Sequence, residues 1–371
     1  MERKELFDII KRWIADGGDK EEARQAANAV TPIAEKGSVQ AQLLLGHYHY
    51  HLDCDNPRFI TWFEKAADSG NEKAAGFLSD YYRYACDNTE QDKALGRKWH
   101  YRKIEILKKK ADKGVATAAK ALMNLYVYER PDDMEEKEGL ASAIEWYDRW
   151  IDILRAKAES GNAKDKKKLA DILYWEHAVP EEILFDIRDR HDEAAKIYKE
   201  LADTAGDGLS YFNLGHTYSR EENGLEQAFE CYVKAAELGY TKACYNVATA
   251  YFDGEGVEKD WTKAFEWFKK GADSGDAFSM LKLAECHNRG IGCVKDHNAA
   301  MGLYTQLINR KTLKGSDAGI AEYELGNMYL KGLGVEQDLQ KAYDCFKQAA
   351  AHYNRAAENA LNNKKFRDFR R

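Results

Sequence analysis

The sequence predicts an all-α fold, an α/α array of about eight helix-hairpin repeats, on three observations. With only 4 prolines in 371 residues, and Ala, Leu, Lys and Glu abundant, little interrupts a helix and almost no sheet is expected. A glycine joint recurs without gaps as GEGVEKDWTKA (254–264), RGIGCVKDHNAA (289–300) and KGLGVEQDLQKA (331–342). Each copy holds Gly-x-Gly, an apolar residue, an Asp and an Ala four residues beyond it, with first glycines at Gly254, Gly290 and Gly332. A second glycine closes each unit: Gly37, Gly70, Gly114, Gly161, Gly206, Gly239, Gly275 and Gly315, at intervals of 33 to 47 residues. A period near 36 that sometimes stretches is that of stacked helical hairpins with variable loops.

Along one repeat domain of 1–371, residues 1–40 read as N-terminal capping helices, opening with the charged, helix-like MERKELFDIIKRW. Residues 41–209 hold degenerate repeats with longer helices and loops, 210–353 regular repeats, and 354–371 a C-terminal helix and basic tail. In a regular unit, helix A (KACYNVATAYF, AEYELGNMYL) puts a small residue, Ala248 or Gly326, three before Tyr251 or Tyr329, which suits close packing beside a ring. Helix B (KAFEWFKKGADSG, KAYDCFKQAAAH) carries Ala and aromatic residues on one face and charges on the other. The closing glycine ends helix B with φ > 0. At the joint, Gly254 and Gly256 turn the chain, Val257 plugs it, and Asp260 caps the next helix. A phosphate loop would need a preceding strand. Here a helix precedes, and two copies recur at the same place, so the joint is read as structural.

The stretch LGNMYLKGLGVEQDLQKA (325–342) resembles the joint of the Sel-one-like repeat (SLR) family, relatives of the tetratricopeptide repeats. The resemblance is close after residue 210 and degenerate before it. It implies a right-handed superhelical solenoid of antiparallel helix pairs that binds other proteins and has no chemistry of its own. It further implies that helix A lines the concave face, with the slot after the small residue turned to solvent. That slot holds His47, Asp80, Asn124, Asp171, His216, Thr249, Glu285 and Asn327, and one turn earlier stand Phe212, Tyr245 and Tyr323. Such aromatics are the usual anchors of protein interfaces.

Departures from the period gather between residues 85 and 195. Trp267 lies eight residues before its closing glycine, whereas Trp99 and Trp146 lie fifteen before theirs. Two helices longer by seven residues are expected, their added turns carrying Ile104, Leu107, Trp150, Ile151 and Leu154. These turns are either internal core or a ridge that meets a partner. The connection 175–196 mixes Val179, Ile183, Leu184, Phe185 and Ile187 with acids, and such apolar residues need burial on their own array or on a partner. ERPDDMEEKEG (129–139) reads as a solvated acidic loop.

A formal net charge of −7 gives no general attraction to polyphosphates, so nucleic acid is not an expected partner. The basic tail KKFRDFRR (364–371) is expected to be frayed and solvated. No apolar run of ~18 residues and no signal-peptide pattern appear, so no membrane partner and a cytoplasmic address are expected. Seven cysteines without a C-x-x-C read as reduced thiols in small core holes. His47, His51 and Cys54 share metal-ligand spacing but lack a fourth ligand. Cys286, His287 and Cys293 fall on apolar repeat slots, leaving His297 alone. No catalytic, cofactor-binding or metal-binding residue is therefore expected. The expected function is a non-catalytic scaffold or adaptor that grips a protein through the concave face and the ridge, with Trp150 and Phe185 joining the slot residues. Two alternatives stand beside it: an immunity or inhibitor protein that occludes a toxin, for which a basic target would suit the net charge, and a metal-dependent enzyme.

Overall fold

The computed structural model describes residues 2–54, 57–85, 89–175, 188–310 and 314–370. Among them are nineteen α-helices and no strand. The chain divides into two compact units, the first running to Asp165 and the second starting at Lys166.

The first unit contains α1 (Arg3–Asp16), α2 (Lys20–Glu35), α3 (Val39–Leu52), α4 (Arg58–Asp68), α5 (Glu72–Asp80), α6 (Glu90–Asp112), α7 (Ala116–Tyr128) and α8 (Glu136–Glu159). Helix α9 (Ala163–Trp175) begins at the boundary. The second unit continues with α10 (Arg188–Ala205), α11 (Gly208–Tyr218), α12 (Leu225–Glu237), α13 (Ala243–Asp253), α14 (Trp261–Asp273) and α15 (Ala277–Arg289). It ends with α16 (His297–Arg310), α17 (Gly315–Lys331), α18 (Leu339–Ala351) and α19 (Arg355–Leu361). Within the units, the consecutive helices α1 to α8 and α10 to α19 pack side by side, odd-numbered ones as helix A and even-numbered ones as helix B. Helices α1 and α2 bury Phe7, Ile10 and Val30 against Leu45 and Tyr48 of α3.

Small residues on helix A do sit beside rings, but the rings belong to helix B. A Cβ on Gly215 would lie 2.6 Å from the Tyr232 ring, and one on Gly326 would lie 2.8 Å from Phe346. Tyr251 and Tyr329, suggested by spacing, are only half-buried. The α13–α14 joint follows the sequence reading more closely. Gly254 takes φ 79° and its N–H donates to the Ala250 carbonyl. The Asp260 carboxylate accepts from the Thr262 and Lys263 amides, both at 3.0 Å. The chain's own carboxylate thus occupies the helix N-terminus that a phosphate loop would leave open.

All eight closing glycines have positive φ, although Gly315 is already the first residue of α17. A ninth hairpin, α17–α18, closes without glycine: Tyr353 takes the place at φ 63° with its side chain 85% exposed. A left-handed tyrosine with almost no packing is strained for no compensating contact. Tyr353→Gly is expected to raise stability by about 1 kcal/mol, read as a higher urea midpoint; a lower midpoint would mean that the exposed ring holds the terminus.

Two sequence expectations need correction. Helices α6 and α8 are 23 and 24 residues long against 13 for α14, but the extra turns lie at their starts. Counted back from the closing glycine, Leu107 and Leu154 fill the slot of Phe268, and Trp99 and Trp146 fall within the added turns. Ile104, Leu107, Trp150, Ile151 and Leu154 are each no more than 5% exposed, so they are core and form no projecting ridge. The added turns of α6 lie along the π-helical turn Tyr81–Ala85 that prolongs α5. The acids of the 129–139 stretch are all exposed, as expected of a solvated loop, with Asp132 paired to Arg83 at 3.3 Å and Asp133 accepting from the Tyr101 hydroxyl at 2.8 Å. Second, the basic tail is folded. Residues Lys364–Arg370 form a 3₁₀ segment whose Phe366 is fully buried against Tyr343 and Phe346.

Candidate functional site

The helix A side of the second unit gathers four of the sequence-nominated residues around two neighbouring clefts. The first cleft, 250 Å³, lies among α11, α12 and α13 and brings together His216, Tyr245 and Thr249. Ala228 and Ala250 are buried at its base, and Tyr232 reaches the His216 Nδ1 from α12 at 3.2 Å. Burial, with Arg220 adding to it, lowers the His216 pKa, so the imidazole is neutral at neutral pH. Burial likewise pushes the Tyr232 hydroxyl up to about 12. Phe212 stacks edge-on against His216 at 4.5 Å and supports the wall. The Thr249 hydroxyl is spent on the Tyr245 carbonyl at 2.9 Å, as is usual for threonine inside a helix.

The second cleft, 180 Å³, opens among α13, α15, α16 and α17. Tyr245 lines both. Its ring is half-buried, leaning on Phe268 and on Phe278, which is itself 46% exposed. Lys282 and Arg289 both pair with Glu285, at 3.1 and 2.9 Å, and Glu324 enters from α17. Sequence reasoning named Glu285 by its slot but missed Phe278, Arg289 and Glu324. Phe278 and Arg289 lie two turns before and one turn after that slot, so helical spacing could have found them. Glu324 stands in the repeat slot of Asn246 and Lys282, two before the small residue, so the repeat alignment could have found it.

The remaining nominated residues have other surroundings. Asp171 is held in a polar knot, accepting from the Tyr198 hydroxyl at 2.7 Å and pairing with Lys167 at 2.6 Å. His47 is wedged edge-on between Phe63 and Phe77, which makes it a packing residue. Tyr323 leans on Phe346, Asn124 and Asn327 are half-buried, and Asp80 is exposed. Trp150, expected on a partner-facing ridge, is buried at 3% within the first unit, where the Lys120 ammonium lies over its ring. Phe185, with the rest of the 176–187 connection, lies outside the described residues.

The cysteine and histidine groups do not converge. No group of three or more His, Cys, Asp or Glu side chains suited to a metal occurs among the described residues. Cys286 is 1% exposed with its thiol pushed up to about 12 by burial, and Cys293 donates to the Cys286 carbonyl. His297 instead meets Asn288 at 3.0 Å. Nor is any helix among the described residues long and apolar enough to cross a membrane.

Hairpins stacked through glycine joints, with paired clefts along helix A, define an α/α-repeat protein. The Sel1 repeat family matches residues 60–71, 208–240, 241–276, 277–310 and 319–354. Mouse cytochrome c oxidase assembly factor 7 is 32% identical over 172 residues, which cover 43% of this chain and 72% of that protein. The chain belongs to the Sel1-repeat family. It is also similar to the ERAD-associated E3 ubiquitin-protein ligase component HRD3A of Arabidopsis thaliana, 30% identical over 28% of this chain and 18% of that protein. The chitin synthase regulator SKT5 of Saccharomyces cerevisiae is 27% identical over 36% of this chain and 19% of that protein. The chain thus spans less than a fifth of the length of these two relatives. A solved Sel1 repeat protein from Oxalobacter formigenes shares the fold, with a TM-score of 0.56 at 20% identity over 96% of this chain and 93% of that one.

Proposed function

We propose that this protein is a non-catalytic adaptor that binds a protein partner along the helix A row of its second unit, with Tyr245 as the central anchor. The observation that carries this reading is the sharing of one half-buried tyrosine by two adjacent clefts. A ring already braced by Phe268 and Phe278 loses little entropy on binding and offers a large apolar area, which is how interface hot spots work. Relatives whose names describe a ligase component and a synthase regulator support a role in assemblies.

The test places a photo-crosslinking amino acid at Thr249, inside the first cleft, and a control at Leu238, which is 51% exposed and lines neither cleft. A discrete adduct from position 249, absent from 238, is expected in the native host. Tyr245→Ala should reduce its yield about tenfold, the effect of losing roughly 1.4 kcal/mol at a hot spot. Equal adducts from both positions, or a yield indifferent to Tyr245, would overturn the reading.

A further inference from the structure

The second cleft carries more than apolar contact. Its walls are aromatic: Tyr245 and Phe278 on one side and the buried ring of Tyr304 on another. Ile320, 43% exposed, lines it as well. Within it the charges are unevenly matched. Two cations, Lys282 and Arg289, share the single carboxylate of Glu285. Glu324 makes no ion pair or hydrogen bond among the described residues, though it is half-buried. Burial raises its pKa, and the like charge of Glu285 adds to the rise, while Arg289 and Lys331 oppose it. A carboxylate drawn out of water without a paired cation is costly and would be relieved by a donor arriving from outside.

We infer that this cleft is a recognition subsite for a basic side chain of the partner, arginine in preference to lysine, stacked beside Tyr245 and Phe278 and hydrogen-bonded to Glu324. The inference rests on the adaptor reading above and adds the chemistry of the residue that is read. Arginine is favoured because its planar guanidinium stacks on aromatic faces and donates two parallel N–H groups to one carboxylate, whereas an ammonium does neither. The cleft is lined by three carboxylates, Glu285, Asp317 and Glu324, against two cations, Lys282 and Arg289, so one further positive charge balances it. The 180 Å³ volume suits a single long side chain rather than a helix.

The test is selection of a phage-displayed random dodecapeptide library on the purified full chain, followed by titration of the selected peptides. Selected sequences are expected to be enriched in arginine beside an apolar residue, with Arg→Lys in the peptide weakening binding several-fold. Glu324→Gln should weaken the arginine peptides about tenfold, a charge-assisted hydrogen bond's worth, and leave the affinity of their Arg→Ala counterparts unchanged. Peptides enriched in apolar residues alone, or arginine peptides indifferent to Glu324→Gln, would overturn this inference and leave the adaptor reading standing. A selection that yields no binder, or binders indifferent to Tyr245→Ala, would overturn both.

Discussion

Gly256→Val is expected to be among the most damaging single changes in the second unit. Gly256 sits at φ 70°, a region β-branched residues scarcely enter. A Cβ there would fall on the Leu225 carbonyl and lie 2.8 Å from the Glu226 nitrogen, both backbone atoms at the start of α12, so no side chain can swing aside. The left-handed conformation alone costs about 1–2 kcal/mol for a non-glycine residue. Separating the joint from α12 adds the loss of packing between neighbouring repeats, taking the total to roughly 4 kcal/mol or more. Because each repeat leans only on its neighbours, the break should uncouple the repeats on either side rather than unfold the whole chain evenly. Urea unfolding followed by hydrogen exchange should show the helices from α13 onward exchanging independently of α11 and α12. Gly302→Ala is the matched control. It lies inside α16 with open space where a Cβ would go, so it should stabilise by about 0.5–1 kcal/mol. A Gly256→Val protein as stable as the wild type would mean that the joint bends freely.

That same position shows what the sequence makes legible. Three ungapped copies of the joint reveal the hairpins, the capping role of Asp260 and the order of A and B helices, because steric requirements at a tight turn leave few residue choices. The glycines show where the turn is; they do not show that Gly256 touches α12 thirty residues earlier, since a close backbone approach leaves no mark on the partner's side chains. The α6 and α8 register failed for a related reason. Tryptophan at the wrong slot served as the anchor, whereas the closing glycine, fixed by backbone geometry, places Leu107 and Leu154 correctly. At the candidate site, Tyr245, Thr249 and His216 were readable from helical spacing. Glu324 holds the repeat slot of Asn246 and Lys282, two residues before the small residue, and all three line a cleft, but that its charge is left unpaired among the described residues depends on how α17 packs beside α15 and α16.

Phe366→Ala should cost about 3–5 kcal/mol, the usual penalty for emptying a fully buried aromatic site. The residue looks dispensable in a tail with five basic side chains among its last eight residues. Its ring is nonetheless 5.7 Å from Tyr343 and 5.8 Å from Phe346, and Phe346 is the ring pressed against Gly326. The tail therefore completes the core of the α17–α18 hairpin, which among the described residues packs against α19 and this segment. Removing the ring should release Lys364–Arg370 and loosen α18 and α19, with little effect on the first unit. Hydrogen exchange would detect this as faster exchange confined to α17–α19, alongside an earlier onset in urea. Arg367→Ala, on an exposed side chain of the same segment, should leave exchange unchanged. If both variants behave alike, the tail is merely resting on the array and the hairpin closes itself.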